Sequence, residues 1–208
     1  MLITFEGLDG SGKTTQIARL APWLTAQGYS VLTLREPGGT TVGDALRNML
    51  HDPAFGELCA HTELLLYSAS RAQLVAERIR PHLAQGDIVL CDRFADSTLA
   101  YQGYGRGLPL DFLRQLQAFV TQGVQPALTI YMEIPVEESL RRRVLSGEFN
   151  RMDQQDIGFY QRVALGYREL IAQEPHRWHV VDAMLPPDQV EQHLRALIAA
   201  QVAKLYHS

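Results

Sequence analysis

Cysteine is scarce in this chain of 208 residues: Cys59 and Cys91 are the whole supply, with no CxxC pair and no metal-ligand spacing. That excludes a disulfide framework and a zinc centre as organising devices, and a reducing cytoplasm fits the usage. Long apolar runs are missing as well. None approaches the ~18 residues a membrane-spanning helix needs, so no membrane partner is expected. Positive charge is not in surplus, since 19 Lys and Arg stand against 23 Asp and Glu, for a net charge of −4. Such a balance provides no general field to hold a nucleic-acid polyanion, and a small ligand is expected instead. The seven histidines form no HExxH and no close cluster, and read as surface or packing residues. Repeats, low-complexity tracts and Pro/Gly/Ser linkers are absent too, so residues 1–208 are expected to form one domain. Met1-Leu2-Ile3-Thr4-Phe5-Glu6 runs into a glycine loop without a basic or cleavable apolar stretch, as expected of a soluble, unprocessed chain.

What is present is a regular alternation. With 46% apolar residues the chain can bury a full core. Leu2 to Phe5, Ser30 to Leu34, Ile88 to Cys91, Leu128 to Met132 and Trp178 to Val181 are short runs rich in β-formers, expected as strands buried on both faces. Between them lie helical patterns over Lys13 to Gln27, Val42 to Leu50, Thr62 to Gln85, Leu110 to Gln122, Val136 to Leu145, Ile157 to Gln173 and Pro187 to Leu205. Strand and helix alternation at this spacing predicts an α/β fold with a five-stranded parallel sheet flanked by helices on both faces. Gly28, Gly86 and Gly123 stand where a left-handed cap stops a helix, and Pro81 is expected to kink or end the third helix. The densest irregular stretches are Glu36 to Thr41, Gln102 to Pro109 and Ser146 to Asp156. The first two follow strands, on the side where ligands bind in parallel α/β sheets.

Gly7-Leu8-Asp9-Gly10-Ser11-Gly12-Lys13-Thr14 matches GxxxxGK[ST] in full, with a strand before it and a helical pattern after it. This is the signature of a P-loop NTPase fold. Backbone N–H groups cradle phosphate oxygens, Lys13 bridges β- and γ-phosphates, and the Thr14 hydroxyl is a ligand for Mg²⁺. GTPases, ATPases and kinases all share this loop, so it fixes ATP-type phosphate binding and leaves the reaction open. Asp92-Arg93 ends the third strand, where Asp92 can hold Mg²⁺ through water and Arg93 can grip a phosphate. Taken alone, the pair is equally readable as a strand-end cap with a surface ion pair.

Together these motifs resemble bacterial thymidylate kinases over nearly the whole chain. The resemblance is carried by Gly7 to Thr15, Arg35-Glu36-Pro37-Gly38-Gly39-Thr40, Leu65-Leu66-Tyr67-Ser68-Ala69-Ser70-Arg71, Asp92-Arg93-Phe94 and Ser97-Thr98-Leu99-Ala100-Tyr101-Gln102-Gly103. The second and last segments are the family-specific ones. The resemblance implies a homodimeric enzyme that converts ATP and dTMP to ADP and dTDP. It implies that Arg93 binds the acceptor phosphate with Arg47 as a second contact, and that Asp9 lies near the sugar hydroxyl and phosphates. Arg71 would bond the thymine edge and Tyr67 would stack on it, with Ser97, Thr98 and Gln102 in the base and sugar pocket and Glu36 and Pro37 lining it.

Some of this has independent physical support. Tyr67 and Arg71 are four apart on a helix and so share a face; the competing reading is a core tyrosine with a solvated arginine. An acid inside a phosphate loop needs a cation or hydroxyl beside it, which Asp9 would find in Mg²⁺ or a sugar; the alternative is an exposed turn residue. The Arg35 to Thr40 loop allows close backbone approach to a ligand, and either Thr40 or Thr41 is placed to cap the helix after it.

Arg141-Arg142-Arg143 leads into Ser146-Gly147-Glu148-Phe149-Asn150-Arg151-Met152-Asp153, which resembles the basic lid of the subgroup without a P-loop arginine. Gly10 stands in the relevant stretch of the loop, so a lid over about 146–156 is expected to supply the arginine. Ser146 stands where many relatives have Arg, and Asn150 where Asp is usual. Arg142 fits the pattern best, then Arg151, then Arg143. Three consecutive arginines cannot all face one way on a helix, so at least one is surface charge. Two other readings stay open: another nucleoside monophosphate kinase, and a nucleotide-dependent switch or binding module. A guanine-specific NKxD, usual in a GTPase of the latter class, does not occur.

Overall fold

The computed structural model describes residues 1–56, 58–147 and 150–206. Five parallel strands, β1 (Leu2–Glu6), β2 (Val31–Arg35), β3 (Ile88–Asp92), β4 (Leu128–Glu133) and β5 (Trp178–Asp182), form one sheet in the order β2-β3-β1-β4-β5. All five expected strands are found. The inner strands β1 and β3 are buried at every residue, and β4 at all but its last. The edge strands β2 and β5 carry exposed positions. Burial on two faces is why the inner strands read as unbroken apolar runs.

The helices are α1 (Lys13–Ala26), α2 (Thr41–His51), α3 (Ala60–Leu74), α4 (Arg80–Ala84), α5 (Ala95–Thr98), α6 (Leu110–Val120), α7 (Val136–Ser146), α8 (Ile157–Gln173) and α9 (Pro187–Tyr206). Ile3, Phe5, Ile88, Leu90, Leu128 and Ile130 point to one face, where Leu20 and Leu24 of α1 and Leu194 and Ile198 of α9 cover them. On the other face Leu2, Val89 and Cys91 meet Leu74 at the end of α3, and Tyr131 and Trp178 meet Val163 and Tyr167 of α8. The alternation along each strand thus builds two cores on one sheet.

Two expectations change. The pattern from Thr62 to Gln85 forms α3 and α4 joined by a π-turn over Val75–Ile79. Pro81 sits in the first turn of α4 without an N–H to give, and the wider turn just upstream absorbs the mismatch. The segment from Gln102 to Pro109, expected to be irregular, is helical as far as Gly105: α5 continues into a π-turn over Leu99–Gly105. Its glycines signal close packing. A Cβ on Gly103 would meet Leu110 at 2.5 Å and one on Gly105 would meet Phe159 at 2.7 Å.

Gly28, Gly86 and Gly123 take φ of 92, 84 and 76°, as expected past the helix ends. Thr40, not Thr41, caps α2: its side chain accepts from the Gly43 amide at 2.9 Å. Thr40→Ala is expected to lower stability by about 1 kcal/mol in urea titrations. Thr41→Ala, at an exposed position, should change it by less than ~0.5 kcal/mol.

Candidate active site

The carboxyl ends of β1 and β3 open into a cleft of about 590 Å³. Pairing of Phe5 with Asp92 sets the two strand ends side by side, so the glycine loop after β1 faces the Asp-Arg pair after β3. Thr14 Oγ1 donates to Asp92 Oδ2 at 2.5 Å. Lys13 Nζ donates to the carbonyls of Gly7 and Leu8 at 3.1 and 2.8 Å and to Ser11 Oγ at 3.3 Å. Gly7, Leu8 and Ser11 therefore shape the loop from within, Leu8 with its side chain in the core, whereas Asp9, Gly10, Gly12, Lys13 and Thr14 line the cleft. Gly10 has φ of 75°, and a Cβ there would meet the Arg142 Cβ at 2.9 Å. Only glycine suits both demands.

Arg93 occupies the centre. Its Nη2 donates to Asp9 Oδ1 at 2.7 Å and to the Tyr101 hydroxyl at 3.1 Å, and Nη1 donates to Ser97 Oγ at 3.2 Å. Its guanidinium carbon lies 4.9 Å from the Tyr101 ring centre. Burial works against charge on Asp9, but Arg93 and Lys13 outweigh it and hold the carboxyl well below its ordinary value. Beneath Arg93, Glu6 is fully buried and accepts from the Phe94 amide at 2.8 Å, Ser97 Oγ at 2.5 Å and the Tyr167 hydroxyl at 2.8 Å. Burial first and Asp96 second push Glu6 up to about 7.

The remaining expected acceptor residues share this cleft: Glu36, Pro37, Arg47, Tyr67, Arg71, Ser97, Thr98 and Gln102 all line it. Arg71 is not solvated. It is 1% exposed, with Nε bonded to Glu36 at 2.6 Å, Nη1 to Thr98 at 2.7 Å and Gln117 at 2.6 Å, and Nη2 to the Phe94 carbonyl at 2.9 Å. Arg47 donates to the Pro37 carbonyl at 2.8 Å.

The arginines considered for the transferring group divide. Arg142 reaches the Gly10 carbonyl at 3.2 Å and is held by Glu138 at 2.6 Å, and both it and Arg143 line the cleft. Arg143 pairs with Asp153 at 2.8 Å. Arg141 is 61% exposed and pairs with Glu138 on its own helix, the surface charge that helix geometry required. Arg151 does not line the cleft. It is 2% exposed, bonded to the Leu50 carbonyl at 2.8 Å and Glu63 at 2.5 Å. Asn150 caps the 3₁₀ turn Arg151–Gln154. Glu148 and Phe149 of the expected lid lie outside the described residues.

Arg35, His51, Tyr101 and Met152 also line the cleft and were not singled out from sequence. Arg35, Tyr101 and Met152 lie within the segments that carry the family resemblance, whereas His51 carries no local signal. Burial first, with Arg47 next, pushes His51 down to about 4, so it faces the arginines as a neutral ring. Glu63 and Gln117, both buried, were missed too, although Glu63 is four residues before Tyr67 and so on the same helical stripe.

A glycine loop joined to a second compartment across one strand pair defines a P-loop phosphotransferase with room for two nucleotides. The description of the thymidylate kinase family matches residues 5–194. Thymidylate kinases of Deinococcus radiodurans and Thermomicrobium roseum are 48% and 50% identical, covering 96% and 90% of this chain and 96% and 89% of their own. The crystal structure of thymidylate kinase from Ehrlichia chaffeensis is 36% identical with a TM-score of 0.76, covering 95% of this chain and 98% of that one. The chain belongs to the thymidylate kinase family, within the nucleoside monophosphate kinases.

Burial, with Arg93 next, pushes Lys13 down to about 8 from 10.5. Between those values the folded chain has lost a proton that the unfolded chain keeps, so this group makes stability rise with pH across the window. A phosphate that restores the charge takes the proton back. Calorimetric titration of ADP at about pH 9, in two buffers of different ionisation heat, should report net proton uptake, much reduced by about pH 7.5. Equal heats in both buffers at the higher pH would contradict the assignment.

Proposed function

We propose that this chain transfers the γ-phosphoryl of ATP to dTMP, giving ADP and dTDP on the route to dTTP. The observation that carries the reading is the Arg93–Asp9 ion pair, which links the phosphate loop to the compartment walled by Tyr67 and Arg71. ATP phosphates would take the loop amides and Lys13. The acceptor phosphate would take Arg93 and Arg47, with the thymine on Tyr67 and the edge of Arg71, and Pro37, Thr98 and Gln102 around base and sugar. Asp9, held ionised, would orient Arg93 and meet the sugar or phosphate side of the acceptor.

Mg²⁺ prefers hard oxygen ligands and keeps most of its shell from water and phosphates. The Thr14 hydroxyl and Asp92 carboxylate fit that need, and no cluster of three His, Cys, Asp or Glu able to hold a metal occurs among the described residues. When bound, the ion supplies charge neutralisation between the phosphates. Phosphoryl transfer asks the protein mainly for alignment and positive charge. Lys13, Arg93 and Arg142, all lining the cleft, would supply these. Arg142, bonded to Gly10 of the loop itself, is the arginine assigned to the transferring group, and Arg151 is assigned to support.

We take the working protein to be a cytoplasmic homodimer. Leu65 on α3 and Phe112 and Phe119 on α6 are 58, 53 and 80% exposed, and α3 packs against α6, which supports pairing of two copies through these helices.

Offering dTMP, dUMP, AMP, CMP and GMP in turn should give ADP formation fastest with dTMP. Preference for another monophosphate would reject thymidylate, and no acceptor-dependent ADP would reject the kinase reading. Arg142→Ala should lower kcat by roughly 10²-fold or more while the KM for dTMP moves less than about threefold. Arg151→Met should instead lower the melting temperature, since it strips a buried carboxylate of a partner. An Arg142→Ala enzyme with unchanged kcat would exclude its assignment.

A further inference from the structure

Glu63 is a fully buried acid that stands behind the cleft wall without lining it. It is 0% exposed on α3 and accepts four bonds: from Gln102 Nε2 at 2.9 Å, Arg106 Nε at 3.1 Å and Nη2 at 3.0 Å, and Arg151 Nη2 at 2.5 Å. Burial opposes its charge, yet the bonds and charge of Arg106, with those of Gln102 and Arg151, hold the carboxyl below its ordinary value. It is therefore an acceptor only, with no proton to donate.

That has a chemical consequence for Gln102. A carboxylate can face only the NH₂ side of an amide, so Glu63 decides which way the Gln102 amide is turned. Gln102 lines the cleft, and its Oε1 has no protein donor among the described residues. What Gln102 offers a ligand is thus a carbonyl acceptor. A carbonyl acceptor complements the N3–H of a pyrimidine dione, whereas cytosine presents N3 as an acceptor, so that two lone pairs would face each other.

We infer that Glu63 is a specificity-positioning residue that, by fixing the Gln102 amide, sets the cleft to accept thymine-type bases and reject cytosine. The inference rests on the acceptor reading above and deepens it. Arg106 and Arg151 keep Glu63 ionised and in place.

The test measures kcat and KM for dTMP and dCMP with saturating ATP, in the wild type, Glu63→Gln, Gln102→Leu and the double variant, alongside ADP affinity and melting temperature. Glu63→Gln lets the amide turn. Its dTMP kcat/KM should fall roughly tenfold or more, mainly through KM, as expected when a buried bond to substrate is lost. The dTMP-to-dCMP preference should shrink by a similar factor, with ADP affinity unchanged. In the Gln102→Leu background, Glu63→Gln should leave that preference unchanged. An unaltered preference in Glu63→Gln, or an equal loss with and without Gln102, overturns the inference. If Glu63→Gln does not fold, Gln102→Leu alone must shrink the preference, and failure to do so overturns it. A wild type that phosphorylates neither nucleotide removes the acceptor reading itself and the inference with it.

Discussion

The bond between Arg93 and Asp9, 2.7 Å long, is the contact on which the two halves of the cleft depend. Asp9 belongs to the phosphate loop after β1, and Arg93 to the turn after β3. Arg93 holds φ of 70°, a left-handed conformation that costs a residue with a Cβ about 1–2 kcal/mol. The Arg93 amide donates to the Phe5 carbonyl at 2.9 Å, so the sheet itself holds the unusual turn. Strain of this kind persists only where its surroundings over-determine it. Here they aim a guanidinium along the seam between the phosphate loop and the acceptor compartment.

Around that contact, several side chains facing the cleft are each held by a carboxylate behind them. Glu36 holds Arg71, Glu138 holds Arg142, Glu6 holds Ser97 beside Arg93, and Glu63 holds Gln102. Buried ion pairs contribute little net stability, because desolvation offsets their attraction, yet removing one partner costs about 3–5 kcal/mol. Their value lies in preorganisation: side chains already aimed need not be reoriented when a nucleotide's charge enters.

Much of this frame is legible in the sequence. Leu2 to Phe5 and Ile88 to Cys91 read as buried parallel strands because both of their faces are apolar, and the loop from Gly7 to Thr14 carries its chemistry in residue spacing. Helical periodicity put Tyr67 and Arg71 on one face, and the family resemblance, not periodicity, favoured a ligand role over a core tyrosine with a solvated arginine. Other features resist such reading because they arise from tertiary contact. The glycines at 103 and 105 look like a loop until Leu110 and Phe159 press against them. Arg151 looks like a lid cation until Leu50 and Glu63 are brought to it from over eighty residues away. His51 and Met152 reach the cleft only through the meeting of α2 with the turn after α7.

The central claim is that the donor and acceptor sites are one continuous cleft governed by Arg93 and Asp9. A dinucleotide with adenosine and thymidine joined by a phosphate chain tests this by calorimetry. One molecule should bind per chain and exclude ATP and dTMP together, with Arg93→Ala weakening it far more than it weakens ADP. A protein saturated with the dinucleotide that still binds dTMP, or an Arg93→Ala variant that binds it undiminished, would contradict the account.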